Sequence, residues 1–265
     1  GVATETLLQV RDLLQAYQKQ LQQGDQVKAL LDQHLELIDD DGIKKELVPI
    51  CDEIKDQLNV NTLSRMAAYL RLSDDEDLTA GAKLALAASG WLMDEGGETE
   101  NLAVATSLFE VRNEVRRYLE TDNVAVHQEV LEKLRSLEGS SPENVARILT
   151  AMKPVLAPEI QDSGVPGFYR LQTPGLNGDP DLQYLVQLPP DYDPYRKYKA
   201  IVTLNGAGSS PEQQMDWWTG AYDEKMKMRM GQAGRHGYIV IAPYWHQGNS
   251  QKYGYTAREH AAVLF

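Results

Sequence analysis

Residues 198–208, YKAIVTLNGAG, and residues 238–243, YIVIAP, decide how the carboxy-terminal part of this chain is to be read. Each is apolar at nearly every position, as a strand buried on both faces would be. The first stops at Asn205-Gly206-Ala207-Gly208-Ser209-Ser210-Pro211, and about 25 residues then lead to Gly237. Part of that stretch reads as a helix opening at Ser210 or Pro211, with Glu212 in its first turn. Thr256 through Phe265 begins another helix. Strand, glycine loop, helix, strand, helix is the rhythm of a parallel α/β sheet.

Upstream, Phe168–Gln172 and Tyr184–Leu188 are short strand-like runs separated by Pro174, Gly175, Asn177-Gly178 and Pro180. They predict an antiparallel hairpin with a long connection. Lys225-Met226-Lys227-Met228-Arg229-Met230 alternates with period two inside a region expected to be helical, and reads as a solvated face with methionine filler.

The remainder has a different composition. Residues 1–160 hold 29 acidic and 16 basic side chains, hence the whole net charge of −13, while residues 161–265 hold ten of each. Only Pro49 precedes residue 142, and ten of the thirteen tyrosines lie beyond residue 160. The break marks a domain boundary near 154–166, where Pro154, Pro158, Gly164, Pro166 and Gly167 interrupt helix. It gives an acidic helical domain over 1–157 and an α/β segment over 158–265. The acidic half repels phosphate, which argues against nucleic acid or anionic lipid as a partner.

That half predicts about eight amphipathic helices in an antiparallel bundle or stack. Leu7, Val10, Leu14, Tyr17 and Leu21 mark a first helix ending near Gly24, and Val27 through Ile38 a second. Leu47 to Leu58, with Pro49 at a start or kink, and Leu63 to Leu70 mark the next two. Ser73 and Glu76, at capping-box spacing, open an alanine-rich fifth that ends around Gly90. Leu102 to Leu119 is the sixth and Thr121 begins the seventh. Ser141-Pro142-Glu143 opens the last with a cap, a first-turn proline and an early acid.

Few residues of this half suggest chemistry. Asp39-Asp40-Asp41-Gly42 has the look of a calcium loop, but Leu37 and Val48 stand where its first and last ligands belong. Asp74-Asp75-Glu76-Asp77 suits a helix N-terminus better than a metal. His34 and His127 sit on apolar stripes without a partner at ligand spacing, as core or boundary histidines do. Cys51 is the single cysteine, so no intramolecular disulfide or cysteine-based zinc site forms. No run of about 18 apolar residues spans a membrane, and no secretory signal is present. Gly1 in place of an initiator Met reads as a tag remnant, a processed end or a cut. The chain reads as soluble and of bacterial type, cytoplasmic or periplasmic.

Two chemistries compete for the glycine loop. A dinucleotide site needs G-x-G-x-x-G, but Pro211 takes the third glycine position, and the next strand ends Ala242-Pro243-Tyr244-Trp245 without a ribose-binding acid. Acyl transfer needs a glycine turn whose main-chain N–H faces an oxyanion. The run Y-L-V-Q-L-P-P-D-Y-D-P-Y-R-K-Y-K-A-I-V-T-L-N-G-A-G over 184–208, then G-Y-I-V-I-A-P, resembles the start of an α/β-hydrolase domain of the prolyl-oligopeptidase-like esterases and peptidases. Asn205 stands where that family usually has the His of a His-Gly pair. The resemblance covers about residues 166–265 and leaves the helical half unmatched.

The resemblance implies a serine hydrolase acting on an ester or peptide, without a cofactor or metal. Gly206 and Ala207 become oxyanion candidates, set against glycines that merely permit a tight turn. Trp217, Trp218, Trp245, His246 and Tyr253 follow strand ends, where such sheets build clefts, and serve either a pocket or core and rim packing. The family's G-x-S-x-G nucleophile elbow is missing. His236, His246 and His260 precede its expected place. The chain thus reads as a fragment that stops at Phe265, before nucleophile, acid and His. Its cut sheet is expected to expose an apolar edge, covered by a second copy or poorly ordered. The competing reading is a non-catalytic helical interaction module with a small α/β appendage.

Overall fold

The computed structural model describes residues 3–94, 96–155, 164–175, 178–206, 208–246 and 253–264. The chain divides into two compact units, Gly1–Val155 and Leu156–Phe265.

The first unit is helical: α1 (Thr4–Glu36), α2 (Asp41–Gln57), a 3-10 turn (Leu63–Met66), α3 (Ala67–Leu72), α4 (Ala80–Met93), α5 (Leu102–Leu119), α6 (Val124–Ser136) and α7 (Pro142–Ala151). Helix α4 is its centre. Ten consecutive residues, Leu84 to Met93, are buried, and α1, α2, α3, α5 and α7 all pack on it. A helix rich in alanine and apolar all round belongs in such a position. At Gly90 a Cβ would lie 2.4 Å from the Arg65 carbonyl oxygen, so only glycine lets that backbone approach.

Arg65, itself buried, donates from Nη1 to the carbonyls of Trp91 (3.3 Å) and Ala151 (2.9 Å). It thereby answers the orphan acceptors at the C-terminal turns of α4 and α7, and its guanidinium stacks 5.3 Å from the Trp91 ring. Glu53 accepts from Trp91 Nε1 and pairs with buried Arg112. His34 Nδ1 meets Tyr69 Oη at 2.8 Å in the core. His127 stacks on Tyr118 at 4.0 Å and points Nε2 at the Thr121 carbonyl. Both histidines have structural partners.

The helix boundaries depart from expectation in three places. First, α1 runs through Gly24 to Glu36 as one helix of 33 residues. A helical glycine weakens but does not break a helix, and Gly24 lacks the positive φ that a C-terminal cap requires. Second, α4 starts at its cap Thr79, whose side chain accepts from Ala82 N. Ser73 instead closes α3, its Oγ donating to the Leu70 carbonyl, and Asp75 accepts from Asp77 N in a turn. Third, of the start or kink expected at Pro49, the start is excluded, because Pro49 lies inside α2. It is exposed, as is Lys45, whose carbonyl loses its donor, so water can take that bond. Asp40 caps α2 by accepting from Ile43 N. Ser141 and Pro142 open α7 as their spacing predicts.

The second unit holds β1 (Phe168–Thr173), β2 (Leu182–Gln187), β3 (Ala200–Val202), α8 (Pro211–Thr219), β4 (Tyr222–Asp223), β5 (Met228–Arg229), α9 (Gln232–Arg235), β6 (Ile239–Pro243) and α10 (Ala257–Leu264). Among the described residues four strands form a mixed sheet in the order β1-β2-β6-β3. β1 and β2 are the predicted antiparallel hairpin, Phe168 opposite Gln187. β6 runs antiparallel to β2 and parallel to β3, with Ile201 beside Val240. Phe168, Leu185, Met215, Ala233, Val240 and Ala242 form the core, with α8 packed on β6 and β2.

Two expectations fail here. β3 is an edge strand among the described residues, not one buried on both faces: Val202 is 51% exposed and Leu204 43%. Ala200, Val202 and Leu204 are exposed while the alternating Ile201, Thr203 and Asn205 are buried or partly so, hence one face of this run is covered and the other is open. The Lys225–Met230 region is not helical. β4 and β5 pair as a small hairpin, Tyr222 opposite Arg229, in which Lys225, Met226 and Lys227 lie in the turn and only Met228 and Arg229 are strand. Asp223 accepts from Lys225 N and Met226 N at its turn. Gly220 at φ +77° and Gly231 close the neck of this hairpin, where a Cβ on Gly231 would meet Gly220 N at 2.3 Å.

Among the described residues no helix is long and apolar enough to cross a membrane, and no group of three His, Cys, Asp or Glu could hold a metal.

Candidate functional site

Parallel strands deliver their C-terminal ends to the same rim of a sheet. Here β3 and β6 bring Asn205 and the pair Trp245-His246 together. The Asn205 amide is buried and sits at the hub. Its Nδ2 donates to the Ser209 carbonyl at 2.6 Å, its Oδ1 accepts from Trp245 Nε1 at 3.0 Å, and His246 Nε2 lies 3.2 Å from Nδ2. Nδ2 can only donate, so Nε2 accepts and the neutral ring carries its proton on Nδ1. That Nδ1 is buried and has no hydrogen-bond partner among the described residues.

The glycine turn follows directly. Ser209 donates to the Gly206 carbonyl from its amide (3.2 Å) and its hydroxyl (2.9 Å). Gly208 adopts φ +79°, the left-handed conformation that favours glycine. Gly206 does not, and a Cβ there would meet nothing within 4 Å. The turn therefore needs its second glycine, whereas the first faces open space without a conformational reason to be glycine. Ala207 lies outside the described residues. Ser210 and Gln213 then form a reciprocal capping box that starts α8, with Pro211 at its first position.

Aromatic rings extend the cluster. Trp245 meets His246 edge-on at 4.7 Å and Tyr253 at 5.6 Å. Tyr253 Oη is 3.3 Å from His260 Nδ1, and its ring is 5.0 Å from Tyr255. Three of the predicted cleft residues, Trp245, His246 and Tyr253, thus share one neighbourhood. Trp217 does not join it: on α8 it points outward, 80% exposed. Its neighbour Trp218 turns inward and donates from Nε1 to Thr203 Oγ1 at 2.9 Å. His236 pairs loosely with Tyr238, at 6.3 Å between rings.

Sequence reasoning missed Asn205 as the hub, although a carboxamide at the end of an apolar strand carries both a donor and an acceptor. It also missed a second group beside the site. Glu212 in the first turn of α8 accepts from Arg170 (3.1 Å) and from the Tyr244 hydroxyl. Burial alone would raise the Glu212 carboxyl, but hydrogen bonds from Tyr244, the backbone, Ser210 and Arg170 outweigh it and hold its pKa below the ordinary value. Burial and the neighbouring Glu212 push the Tyr244 hydroxyl up. Glu259 accepts from Gly254 N and Thr256 N, and these backbone bonds lower its pKa. With Thr256 accepting from Glu259 N, they set the start of α10.

Chemically, the arrangement offers a rigid carboxamide, an open main-chain turn and an aromatic wall. The Asn205 amide occupies His246 Nε2 in this arrangement. No known protein family, curated protein or solved structure matches the chain.

Proposed function

We propose that the second unit is the opening part of an α/β-hydrolase-type catalytic domain, of the prolyl-oligopeptidase-like kind, which cleaves an ester or peptide bond by acyl transfer. The observation that supports this most is the joint delivery of Asn205, Trp245 and His246 by parallel β3 and β6 to a glycine turn that leads into a capped helix.

In this reading the Gly206 and Ala207 main-chain N–H groups face the oxyanion that forms when a serine hydroxyl adds to the substrate carbonyl. Asn205 keeps the turn and the β6 end in register, and Trp245 and Tyr253 border the group next to the scissile bond. The serine, its His base and the orienting acid come from chain beyond Phe265.

The test is to treat the product of the whole gene, and separately residues 1–265, with a fluorophosphonate serine probe, alongside p-nitrophenyl ester and peptide anilide turnover. Labelling of a serine in the whole product, with hydrolysis of either substrate and no labelling of residues 1–265, supports the proposal. A whole product that is neither labelled nor hydrolytic overturns it.

A further inference from the structure

Helix α1 changes character along its length. Val27, Leu31, His34 and Leu35 are buried in the helical unit, yet every residue from Thr4 to Gln22 is exposed. This exposed arm is not polar. Leu7, Val10, Leu13, Leu14, Tyr17 and Leu21 stand 46% to 70% exposed. At helical pitch they fall on one stripe roughly 120° wide, and Leu8 alone lies off it. A helix of this length without tertiary packing is marginal in water. The stripe amounts to on the order of 500 Å² of apolar surface, near the upper limit for a monomer.

From this we infer that the arm is a self-association surface, and that its occupant is the same arm of a second copy of this chain. The spacing supports it: positions 7, 10, 14, 17 and 21 alternate steps of three and four. Two such helices can interdigitate side chains along a common seam. The area supports it too, since the stripe supplies more than half of the roughly 800 Å² that each partner contributes to a standard interface.

Charge selects the occupant. The arm carries Glu5, Asp12, Arg11 and Lys19, a net charge of zero, and the seam itself is uncharged. Residues 25–160 hold the entire −13, with 27 acids against 14 bases. Two copies that met through their acidic bodies would repel, whereas two arms meet without penalty. An anionic membrane is a worse fit: the arm lacks the lysine- and arginine-rich polar face that holds interfacial helices there, and the acidic body behind it is repelled.

The decisive experiment is sedimentation equilibrium on the full 265-residue chain, wild type against the double variant Leu14→Glu, Tyr17→Glu. The wild type is expected to weigh as a dimer at roughly 50 μM and to dissociate on dilution, with the variant at least about a hundredfold weaker. On dilution to a concentration at which the wild type is monomeric, thermal unfolding of the variant should match it, because neither side chain is buried in the chain. The conservative variant Leu14→Ile, Tyr17→Leu should keep the dimer. A wild type that stays monomeric at that concentration overturns the inference, including the case in which another part of the same chain protects the arm from hydrogen exchange. So does a dimer that survives both glutamates.

Discussion

Helix α4 is buried at ten consecutive positions from Leu84 to Met93, whereas strand β3, also apolar at nearly every position of its run, leaves Val202 51% exposed and Leu204 43%. The difference comes from what surrounds each segment. Five helices enclose α4, so every direction around it is protein. Among the described residues β3 has a strand on one side only, and just one of its faces is covered, so Ala200, Val202 and Leu204 face outward while Ile201 and Thr203 pack inward. Apolar composition therefore states what a segment can tolerate, and topology decides what it receives. The same contrast exists inside α1, whose apolar residues are exposed along the arm and buried at the root.

The sharpest way to break this comparison is to overfill the enclosed segment. Gly90→Val places side-chain atoms where a Cβ already lies 2.4 Å from the Arg65 carbonyl. It should destabilise the helical unit by about 4 kcal/mol or abolish its folding. Thermal unfolding followed by circular dichroism checks this, and a loss under about 1 kcal/mol would mean that α4 is less enclosed than described.

Next comes Arg65→Met, which keeps the side-chain volume but strips the donors from the Trp91 and Ala151 carbonyls. The expected loss is about 2 kcal/mol. In the second unit, Asn205→Leu removes the amide hub and leaves Trp245 Nε1 without its acceptor, for a loss of about 1–3 kcal/mol felt only in that unit. Hydrogen exchange resolved by peptide separates the two cases.

Acid should distinguish the units without mutation. Burial, then Lys83, lowers the His34 pKa below its ordinary 6.5. Its folded state disfavours the proton, so the helical unit keeps this contribution above 6.5 and loses it as pH falls below that value. Glu212 and Glu259 are also lowered, but from the carboxylate range. Their contribution to the sheet unit persists above the ordinary carboxylate value and declines only as pH falls through it. A pH series of urea unfolding should thus show the helical unit weakening first, and His34→Gln should remove that early loss.

The smallest effect is expected at the open positions. Val202→Thr on β3 and Gly206→Ala in the turn should each change stability by under about 0.5 kcal/mol, since Val202 is half-exposed and Gly206 faces open space. A larger change at Gly206 would show that the turn is more crowded than its surroundings indicate.

Legibility in the sequence followed the range of the physics involved. Ser141-Pro142-Glu143 marked α7 because a cap, a fixed φ and a first-turn acid act within four residues. Gly24 misled because glycine permits a helix end without requiring one, and the glutamines around it (Gln22, Gln23 and Gln26) favour helix. Ser73 and Glu76 have the letters of a capping box but sit in a turn, with Thr79 performing the role. The alternation of Lys225–Met230 misled because half of it lies in a turn, and the two-residue strands beside that turn are shorter than any window that could identify them. At the site, Trp245, His246 and Tyr253 were legible from their place after strand ends. Trp217 and Trp218 were not separable by place alone, since one step along a helix turns a side chain by about 100°. Asn205 became prominent only when two strands distant in sequence met at one rim.

The bond from Arg65 to the Ala151 carbonyl joins residues 86 apart and anchors the last turn of α7 to the centre of the helical unit. During synthesis the amino-terminal residues emerge first, so Arg65 is made long before its acceptor. Until then Arg65 keeps its bond to the Trp91 carbonyl, and its second carbonyl acceptor arrives only after Ala151 has left the ribosome. Ala151 lies four residues before the end of the first unit at Val155. The bond that fastens α7 to the centre of the helical unit is thus completed at nearly the moment the second unit begins to appear.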